Sequence, residues 1–600
     1  MNGFLKTTLA VILGIFIASF LSIFLCVAII GAIAAGSSGS NPVSSEGVLF
    51  LDMEKILIQE QSRESDPLEM LGNPRNPVHV IGIWDAVRAL EAAADDPAVK
   101  FVYLRAEGMN GTIAGYEELR AALSDFRRSG KAVVAGMRAP STLNYYLASV
   151  ADKIYLSSHI GQTYTLNGLG GNLVFFKDLL DACGINVQLI RHGKYKSAGE
   201  TFVCSSPSKE NMEQNQAMIS SLWNTIASAI AENRDISVER LNAVIDGLKL
   251  GEPQDFLEAG LVDELMTEEQ LKLKLAELAG KDKAEDLNLI PFAGYVKSKA
   301  LSPKSKSTIA VVYADGDIVD GHDDRQVAGD DFAGIISSLI RDTTVKAVVL
   351  RVNSPGGSVF ASEQIKTEMD LLCEVKPVVA SYGGYAASGG YWISNNCEKV
   401  FTDATTLTGS IGVFGLIPDF SRAIRDKLHV NVVSVNSNRH SDMLNLTRPL
   451  NEAEYKYITS SIETVYEKFV AIVSEGRDLE PGYVDSIGQG RVWTGTDAVS
   501  IGLADEVGTL EDAVRWTLLA VSDNAEQAEL KNWNVVGYPK QKTSLERMMD
   551  MLNETAARSG NPLEGTAYES VAGDALSLLS GFAEGKKDII LAKMPFDMVW

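Results

Sequence analysis

A serine in a glycine-rich turn and a lysine in a distant basic stretch have the chemistry of a nucleophile and its base. Ser410 lies in Thr408-Gly-Ser-Ile-Gly412, which predicts a tight turn entering a helix after Pro418 and leaves the hydroxyl uncrowded. Lys196 lies in Arg191-His-Gly-Lys-Tyr-Lys-Ser-Ala198. A lysine can act as a general base if burial lowers its pKa. Such a pair would attack a carbonyl carbon and form an acyl-enzyme that water then releases.

Other residues compete for both roles. Ser388, in Ala387-Ser-Gly-Gly-Tyr391, is a rival nucleophile, although its small neighbours are more typical of helix packing. Lys194 stands close to Lys196, and a lysine taken alone is usually a solvated surface residue. The histidines have no evident pairing with an acid, and no Gly-x-Ser-x-Gly turn occurs. The sequence therefore favours lysine over histidine as the base.

A second glycine-rich segment could stabilise the negative charge that such an attack creates. Asn353-Ser-Pro-Gly-Gly-Ser358 follows an apolar strand and precedes a helix. Paired glycines allow the backbone N–H groups of Gly356, Gly357 and their surroundings to turn into a pocket. One such donor can contribute about 3 kcal/mol in a transition state. An ordinary strand-to-helix turn is the alternative interpretation of the same residues.

The elements that must position these residues occur twice. Val99-Lys-Phe-Val-Tyr-Leu-Arg105 recurs as Val345-Lys-Ala-Val-Val-Leu-Arg351, and Glu258-Ala-Gly-Leu-Val-Asp-Glu264 recurs as Ser500-Ile-Gly-Leu-Ala-Asp-Glu506. In each half, valine-rich strands alternate with helices, which predicts βαβ units and a largely parallel sheet. The period is far too long for a solenoid. The fold class predicted is α/β, built as a tandem duplication of one domain.

The two copies have lost complementary residues. Leu169 of the first copy stands nearest to Ser410 of the second. Alignment of Ile185-Asn-Val with Val430-Asn-Val places Ser441 opposite Lys196. One copy therefore has the serine and the other the lysine, which indicates a single site that both copies build.

Composition shifts along the chain predict the domain boundaries. A polar linker separates the two copies, and the repeat ends near residue 522, after which Ser544–Ala557 and Tyr568–Ala583 read as helices. The predicted segments are a cytoplasmic tip and transmembrane anchor (1–36), a linker (37–45), a first repeat that supplies the lysine (46–296), a linker (297–307), a second repeat that supplies the serine (308–522) and a C-terminal helical appendage (523–600).

Bulk composition excludes some classes of partner. A net charge of −24 argues against nucleic acid or an anionic membrane surface as the main partner. The five cysteines show no CxxC and no histidine-rich spacing, so we expect no metal site, and nothing indicates a cofactor.

The N-terminus predicts the location of the protein. Thr7–Gly36 carries no charge and is long enough to span a hydrocarbon core of about 30 Å. A signal-peptide core is usually shorter, although Ala32-Ile-Ala34 could mimic a cleavage site. Lys6 precedes the segment and Glu46 is the first charge after it. The positive-inside tendency then leaves the tip cytoplasmic and the body outside.

Four motifs together resemble one family. Lys-Tyr-Lys-Ser-Ala, Asn-Ser-Pro-Gly-Gly-Ser-Val, Ala-Ala-Ser-Gly-Gly-Tyr and Thr-Gly-Ser-Ile-Gly-Val are similar to those of the long, duplicated form of bacterial signal peptide peptidase A, also called protease IV, in peptidase family S49. The similarity covers nearly the whole chain, including Gly490-Arg-Val-Trp-Thr-Gly495.

The resemblance implies a mechanism and a setting. It implies a Ser–Lys dyad of Ser410 and Lys196 on a Clp/crotonase-like fold, with Gly356, Gly357 and the amide of Ile411 as the oxyanion hole. It also implies a bowl-shaped homotetramer anchored in the cytoplasmic membrane, facing the periplasm, that degrades signal peptides and other short apolar peptides.

Two other functions remain open from the sequence. A crotonase-like enzyme could use the glycine amides to stabilise the enolate of an acyl thioester, although no CoA-phosphate patch is evident. A non-catalytic membrane scaffold would not need Ser410 and Lys196, and both are present.

Overall fold

The computed structural model describes residues 46–63, 78–108, 111–299, 305, 307–524, 527–543, 546 and 590–593. The described elements of the first repeat are β1 (Gly47–Asp52), β2 (Ile56–Gln59), β3 (His79–Gly82), α1 (Ile83–Asp95), β4 (Val99–Arg105), α2 (Ile113–Arg128), β5 (Val133–Met137), α3 (Thr142–Ala148), β6 (Lys153–Ser157), α4 (Lys177–Cys183), β7 (Asn186–His192), α5 (Glu200–Val203), α6 (Lys209–Arg234), α7 (Val238–Asp246), α8 (Pro253–Glu258), β8 (Glu264–Met266), α9 (Glu268–Leu278), β9 (Leu289–Pro291) and α10 (Phe292–Lys299).

The second repeat has the same alternation of strands and helices. Its described elements are β10 (Thr308–Asp315), β11 (Ile318–Val319), β12 (Val327–Ala328), α11 (Gly329–Arg341), β13 (Val345–Ser354), β14 (Gly356–Ser358), α12 (Val359–Val375), β15 (Val378–Ala387), α13 (Gly389–Trp392), β16 (Lys399–Thr402), β17 (Leu407–Gly409), β18 (Val413–Asp419), α14 (Glu452–Arg477), α15 (Pro481–Ile487), β19 (Val492–Thr494), α16 (Gly495–Ser500), β20 (Glu506–Val507), α17 (Leu510–Val521), β21 (Asn534–Tyr538) and β22 (Ile590–Lys593).

Each repeat is organised around a largely parallel sheet. The first sheet has the order β8-β6-β5-β4-β1-β9, and the second has the order β19-β17-β15-β13-β10-β21, with β16 beside β15. Only the β17–β19 pair is antiparallel among the described pairs of these two sheets. Strands such as β13 are buried along nearly their whole length, which is why they are valine-rich without polar alternation. The prediction of a duplicated mixed α/β fold is confirmed.

A buried ionic contact joins the two repeats. Arg351, at the repeated strand end, is fully buried, and its Nε lies 2.7 Å from the carboxylate of Glu60 in the first repeat. It also bonds the buried carboxylate of Glu118 in α2. The corresponding Arg105 lies nearer the surface and pairs with Asp52 of its own repeat. An arginine buried between carboxylates of the other repeat holds the copies in one arrangement, since losing either partner leaves a buried charge.

A third sheet crosses from one repeat to the other. Its order is β12-β11-β14-β22-β18-β7, so that β7 of the first repeat lies beside β18 of the second. These two strands are antiparallel, with His192 opposite Val413 and Asn186 opposite Asp419. The functional site lies at the His192 end of this pair.

The C-terminal region differs from the predicted helical appendage. β21 runs parallel to β10 at the edge of the second sheet, as β9 does beside β1 in the first. The second repeat therefore continues past residue 522, because Asn534-Val-Val-Gly-Tyr538 is a short β-branched run that completes the sheet. β22 joins the third sheet. The predicted helices Ser544–Ala557 and Tyr568–Ala583 lie outside the described residues, apart from residue 546.

The membrane prediction falls on residues that are not described. Thr7–Gly36 lies outside the described ranges. Within those ranges, no helix combines the length and the apolar character needed to cross a membrane.

Candidate active site

Strand pairing between the repeats brings the two halves of the site together. Lys196 follows the end of β7, and Ser410 precedes the start of β18. Because His192 and Val413 are opposite each other in the antiparallel pair, the turns after β7 and before β18 meet. The paired strands thus bring together the two turns that carry these residues, which are far apart in the sequence.

The amine of Lys196 contacts two serines. Its Nζ lies 3.0 Å from Ser410 Oγ, 3.0 Å from the Ser410 carbonyl oxygen and 2.8 Å from Ser388 Oγ. All three side chains are fully buried. The structure therefore brings the predicted nucleophile and base within hydrogen-bond reach, which is the geometric requirement for proton transfer between them.

Burial decides the charge of this lysine. Desolvation lowers the pKa of Lys196 well below its ordinary value of about 10.5. Within the described ranges, no carboxylate forms an ion pair with it that would restore the charge. A neutral amine offers two N–H donors and one lone pair, and this count matches the three contacts. The amine can donate to the Ser410 carbonyl and to Ser388 Oγ while it accepts from the Ser410 hydroxyl.

Ser410 occupies a strained turn. Its φ is +50°, a conformation that non-glycine residues rarely adopt. Its N–H donates to the carbonyl of Arg491 over 2.7 Å. The turn connects β17 to β18, so that a strand follows Ser410, and the helical segment expected after Pro418 lies beyond β18 as a π-helical turn at Ala423–Lys427. Strain that the surroundings hold in place is common at functional sites.

The backbone of Lys196 is fixed by its own repeat. Arg191 donates through Nη1 to the Lys196 carbonyl and to Glu200 Oε1, each over 2.9 Å. Burial alone would raise the pKa of Glu200, but hydrogen bonds from Ser208, Arg191 and Asn211 lower it below its ordinary value. Glu200 therefore stays ionised and holds Arg191 against the lysine loop.

A loop of the second repeat closes over the lysine. The Tyr195 N–H donates to the Gln489 carbonyl over 2.9 Å, and the Gly490 N–H donates to the Ile411 carbonyl over 2.6 Å. Gly490 has a φ of +77°, and a Cβ there would lie 2.5 Å from the Cβ of Lys196. The Gly490 motif that the sequence singled out thus packs directly on both members of the site.

The glycine pair lies on the other side of the serines. Gly356 and Gly357 form β14 together with Ser358, and a Cβ on Gly357 would lie 2.0 Å from the Ile318 carbonyl oxygen, so that only glycine fits. A Cβ on Gly389, the residue after Ser388, would lie 3.2 Å from both Gly356 Cα and Gly357 N. The glycine strand is thus adjacent to the serine that contacts the lysine.

One of the predicted oxyanion groups has a partner already. The Gly356 N–H donates to Ser354 Oγ over 3.2 Å, whereas at Ile411 it is the carbonyl, and not the predicted amide, that is bonded, by the N–H of Gly490. Ile411 itself is fully buried, with its side chain in the core of the second repeat. Backbone groups of β14 and of the turn after Ser410 therefore converge on the site from two sides.

Ser388 has a place in the site that the sequence did not predict. It was treated as a rival nucleophile, yet it lies against Lys196 and not apart from it. Its φ is +55° and its N–H donates to the Gly409 carbonyl over 2.8 Å, which ties it to the turn of Ser410. The small residues that flank Ser388 in the sequence could have indicated this position, because a crowded turn has room only for small side chains. Its hydroxyl accepts a hydrogen bond from the amine of Lys196.

Lys194, the alternative candidate for the base, lies outside the site. Lys194 is exposed, and its Nζ is 5.0 Å from the centre of the Tyr195 ring. Within the described part of the chain, no group of three or more histidine, cysteine, aspartate or glutamate side chains could hold a metal ion.

A buried serine whose hydroxyl lies within hydrogen-bond reach of a buried lysine is an arrangement that serine hydrolases use. The family model of Peptidase family S49 matches residues 125–282 and 371–522, one stretch in each repeat. A Protease 4 of Haemophilus influenzae is 36% identical over 508 residues, covering 82% of each chain. The chain therefore belongs to peptidase family S49, and it is a serine protease.

Two further comparisons are more distant. A chloroplastic serine protease SPPA of Arabidopsis thaliana is 30% identical over 437 residues, covering 70% of this chain and 63% of that protein. Among solved structures, a mutant ClpP1 from Listeria monocytogenes covers 34% of this chain and 93% of its own, at 15% identity with a TM-score of 0.24, a likeness too slight to carry an argument. The Clp/crotonase-like character of the fold stays a prediction.

Proposed function

We propose that this serine protease uses Ser410 as its nucleophile and Lys196 as its general base. The observation that carries the proposal is the 3.0 Å contact between Lys196 Nζ and Ser410 Oγ in a site whose burial lowers the pKa of the amine. Each repeat supplies one of the two residues, in agreement with the complementary losses in the sequence.

The chemistry follows from the three contacts of the amine. As Ser410 Oγ bonds to the substrate carbonyl carbon, its proton passes to the lone pair of Lys196. The resulting ammonium gives that proton to the leaving amine nitrogen when the peptide bond breaks. A water molecule then attacks the ester, with Lys196 again taking and returning a proton. Ser388 keeps the amine aimed at Ser410 Oγ throughout.

The oxyanion would be stabilised by backbone N–H groups. We assign this role to Gly356, Gly357 and Ile411. The Gly356 amide would exchange its present acceptor, Ser354 Oγ, for the developing oxyanion. Such an exchange costs little, because the hydroxyl is neutral and the new acceptor is charged.

We propose that substrates bind as extended strands. β14, which carries the glycine pair, and β18, which follows Ser410, lie on either side of a slot one strand wide that β22 fills here. A peptide added to two strand edges gains main-chain hydrogen bonds along both. Such binding needs an unfolded chain, and cleaved signal peptides and other short apolar peptides meet this requirement.

The substrate class can be tested with paired substrates. The full chain in detergent micelles is expected to cleave a synthetic signal peptide rapidly and to leave a stably folded protein intact over the same time. The reason is that a folded protein cannot offer an extended segment to a slot between two strands. Mass spectrometry of both mixtures measures the result, with the Ser410→Ala protein as control. Cleavage of the folded protein at a similar rate would contradict the proposal.

We further propose a location at the outer face of the bacterial cytoplasmic membrane. The support is the uncharged Thr7–Gly36 segment with Lys6 before it. A single anchor there would leave both repeats on the periplasmic side, where signal peptides are released.

We propose that copies of the chain join by the same strand pairing that joins its two repeats. Within the chain, β7 pairs with β18. The counterpart of β7 in the second repeat is the segment 431–437, and the counterpart of β18 in the first repeat is the segment 172–178. Neither forms a strand here, and Val433 and Val435 are 82% and 96% exposed. Pairing 431–437 with 172–178 of another copy would repeat the internal contact head to tail, and four copies closing a ring would form the homotetramer.

A double substitution tests this assembly. Val433→Asp with Val435→Asp is expected to convert the tetramer to a smaller species, because charges on a strand edge oppose its pairing. Analytical ultracentrifugation of the full chain in detergent measures the mass. The control is Leu519→Asp, which places a charge on an exposed residue of α17. A double variant that keeps the wild-type mass would count against this interface.

A further inference from the structure

Two cysteines of the second repeat lie against each other outside the candidate active site. Cys373 is in the last turn of α12, and Cys397 stands two residues before β16. Cys397 is buried and Cys373 is partly exposed, and both pack in the core of the second repeat. The thiol of Cys397 donates a hydrogen bond to the sulfur of Cys373. The pair therefore has the proximity that a disulfide requires.

Hydrogen bonds on both sides of Cys397 hold it against the end of α12. The side chain of Asn396 donates to the carboxylate of Asp370 in that helix. The N–H of residue 398 donates to the carbonyl of Val378, at the start of β15, over 2.9 Å. Cys373 follows Asp370 by three positions and so lies on the same face of the helix. The backbone and its polar contacts thus place the two sulfurs together, independently of any bond between them.

The two thiols differ in reactivity. The hydrogen bond from Cys397 lowers the pKa of Cys373, whereas the same hydrogen bond and burial raise the pKa of Cys397 well above its ordinary value. The thiolate is the form of cysteine that attacks a disulfide. Cys373, which solvent reaches, is therefore the thiol that reacts first, and Cys397 is the buried thiol behind it.

We propose that Cys373 and Cys397 form an intramolecular disulfide when the protein meets an oxidant that itself carries a disulfide. The Cys373 thiolate attacks one sulfur of the oxidant and releases the other half as a thiolate. Cys397 loses its proton to that thiolate and attacks the sulfur of Cys373, which expels the second half. The two protein thiols give up two electrons and two protons, and the oxidant is reduced to two thiols.

The bond would enclose part of the candidate active site. The loop that it closes contains β15, Ser388 and α13. A disulfide stabilises a protein mainly because it restricts the unfolded chain. Since the thiols already touch in the folded state, we expect the oxidised protein to keep its turnover and to unfold at a higher temperature. Disulfides persist outside the cytoplasm, which is where we place the body of the protein.

Oxidation of the full chain tests the proposal. The reduced protein in detergent micelles is incubated with mixtures of reduced and oxidised glutathione, denatured in iodoacetamide and digested without reduction. Mass spectrometry is expected to find the peptides of Cys373 and Cys397 joined and two hydrogens lighter. The oxidised protein should unfold about 5 °C above the reduced form of the same chain. Cys183→Ser, which removes an exposed thiol of α4, is the matched control and should behave as wild type.

Single variants test the order of the two steps. Cys397→Ala is expected to stop at a glutathione adduct on Cys373, because no second thiol can displace it. Cys373→Ala should leave Cys397 unmodified, because that thiol is buried and protonated. Two alkylated thiols in the oxidised wild-type protein, or a glutathione adduct on its Cys373 that persists, would overturn the proposal. A joined pair that unfolds at the same temperature as the reduced form would overturn its stabilising role.

Discussion

Replacing Ser410 by alanine, or Lys196 by methionine, is expected to lower peptide hydrolysis by about 10³-fold or more while the fold persists. Ser410→Ala removes the attacking oxygen, and Lys196→Met removes the group that accepts its proton. Methionine fills nearly the volume of the lysine stem, so no large cavity forms. Turnover of a fluorogenic apolar peptide measures the loss, and circular dichroism confirms the fold.

We also expect an effect of Lys196→Met on the stability of the folded protein. Because burial lowers the pKa of Lys196 in the folded state, the unfolded chain holds this proton more tightly, and folding favours its release. This release costs free energy, and the cost shrinks as pH rises. Lys196→Met should therefore unfold at a temperature no lower than wild type at pH 7.

The neighbouring lysine supplies the control. Lys194→Met changes an exposed residue two positions away in the same loop and is expected to keep near-normal turnover. If Lys194→Met were as inactive as Lys196→Met, the loop as a whole would be at issue and the assignment of the base would fail.

Substituting Gly490 by alanine is expected to lower kcat about 10²-fold. The new Cβ would lie 2.5 Å from both the Cβ and the backbone nitrogen of Lys196, so the lysine loop must move. A displacement of about 1 Å in a reacting group can cost this much in rate. The same turn also bonds the Ile411 carbonyl, so the shift would reach the serine as well. Steady-state kinetics on the fluorogenic peptide measure it.

Substitution of a second glycine distinguishes the effect of backbone strain from the effect of a steric clash with Lys196. Gly280 has a φ of +72°, close to the +77° of Gly490, but a Cβ there meets nothing within 4 Å. Gly280→Ala thus carries a similar backbone penalty, about 1–2 kcal/mol, without the contact. Both variants should lose stability through this penalty, and only Gly490→Ala should lose turnover. Equal activity in the two would show that the loop does not position the lysine.

The sequence could predict the repeat, and it could single out the serine and the lysine that the structure brings into contact, for a physical reason. A parallel sheet buried on both faces leaves long apolar runs that recur in each copy, and β4 and β13 show them clearly. A shared site needs each functional residue once, so that unequal losses between copies point to Ser410 and Lys196. The strand pairing of β7 with β18 that joins them depends on residues far apart and leaves no local pattern.

Other features depend on tertiary contacts that no local pattern records. The small residues around Ser388 predict helix packing. The structure places Ser388 in a turn with a φ of +55°, in contact with Lys196, and no local pattern predicts that contact. The strand β18, which lies between Ser410 and the helical segment after Pro418, depends on pairing with β7, a distant contact that no local pattern predicts. β21 and β22 fall in a region that read as helical or unassigned, and each gains its partners only in the assembled sheets.

Covalent labelling of Ser410 as a function of pH tests most directly the claim that a neutral, buried Lys196 activates this serine. A serine-directed fluorophosphonate should add one label to the wild-type chain, located at Ser410 by peptide mass spectrometry. Its rate should rise with pH and level off well below the ordinary lysine pKa of about 10.5, because only the unprotonated amine can accept the proton. Lys196→Met should label far more slowly, with that rise abolished, and Ser410→Ala should not label. A label on Ser388, or a rate that peaks in acid and survives Lys196→Met, would contradict the account.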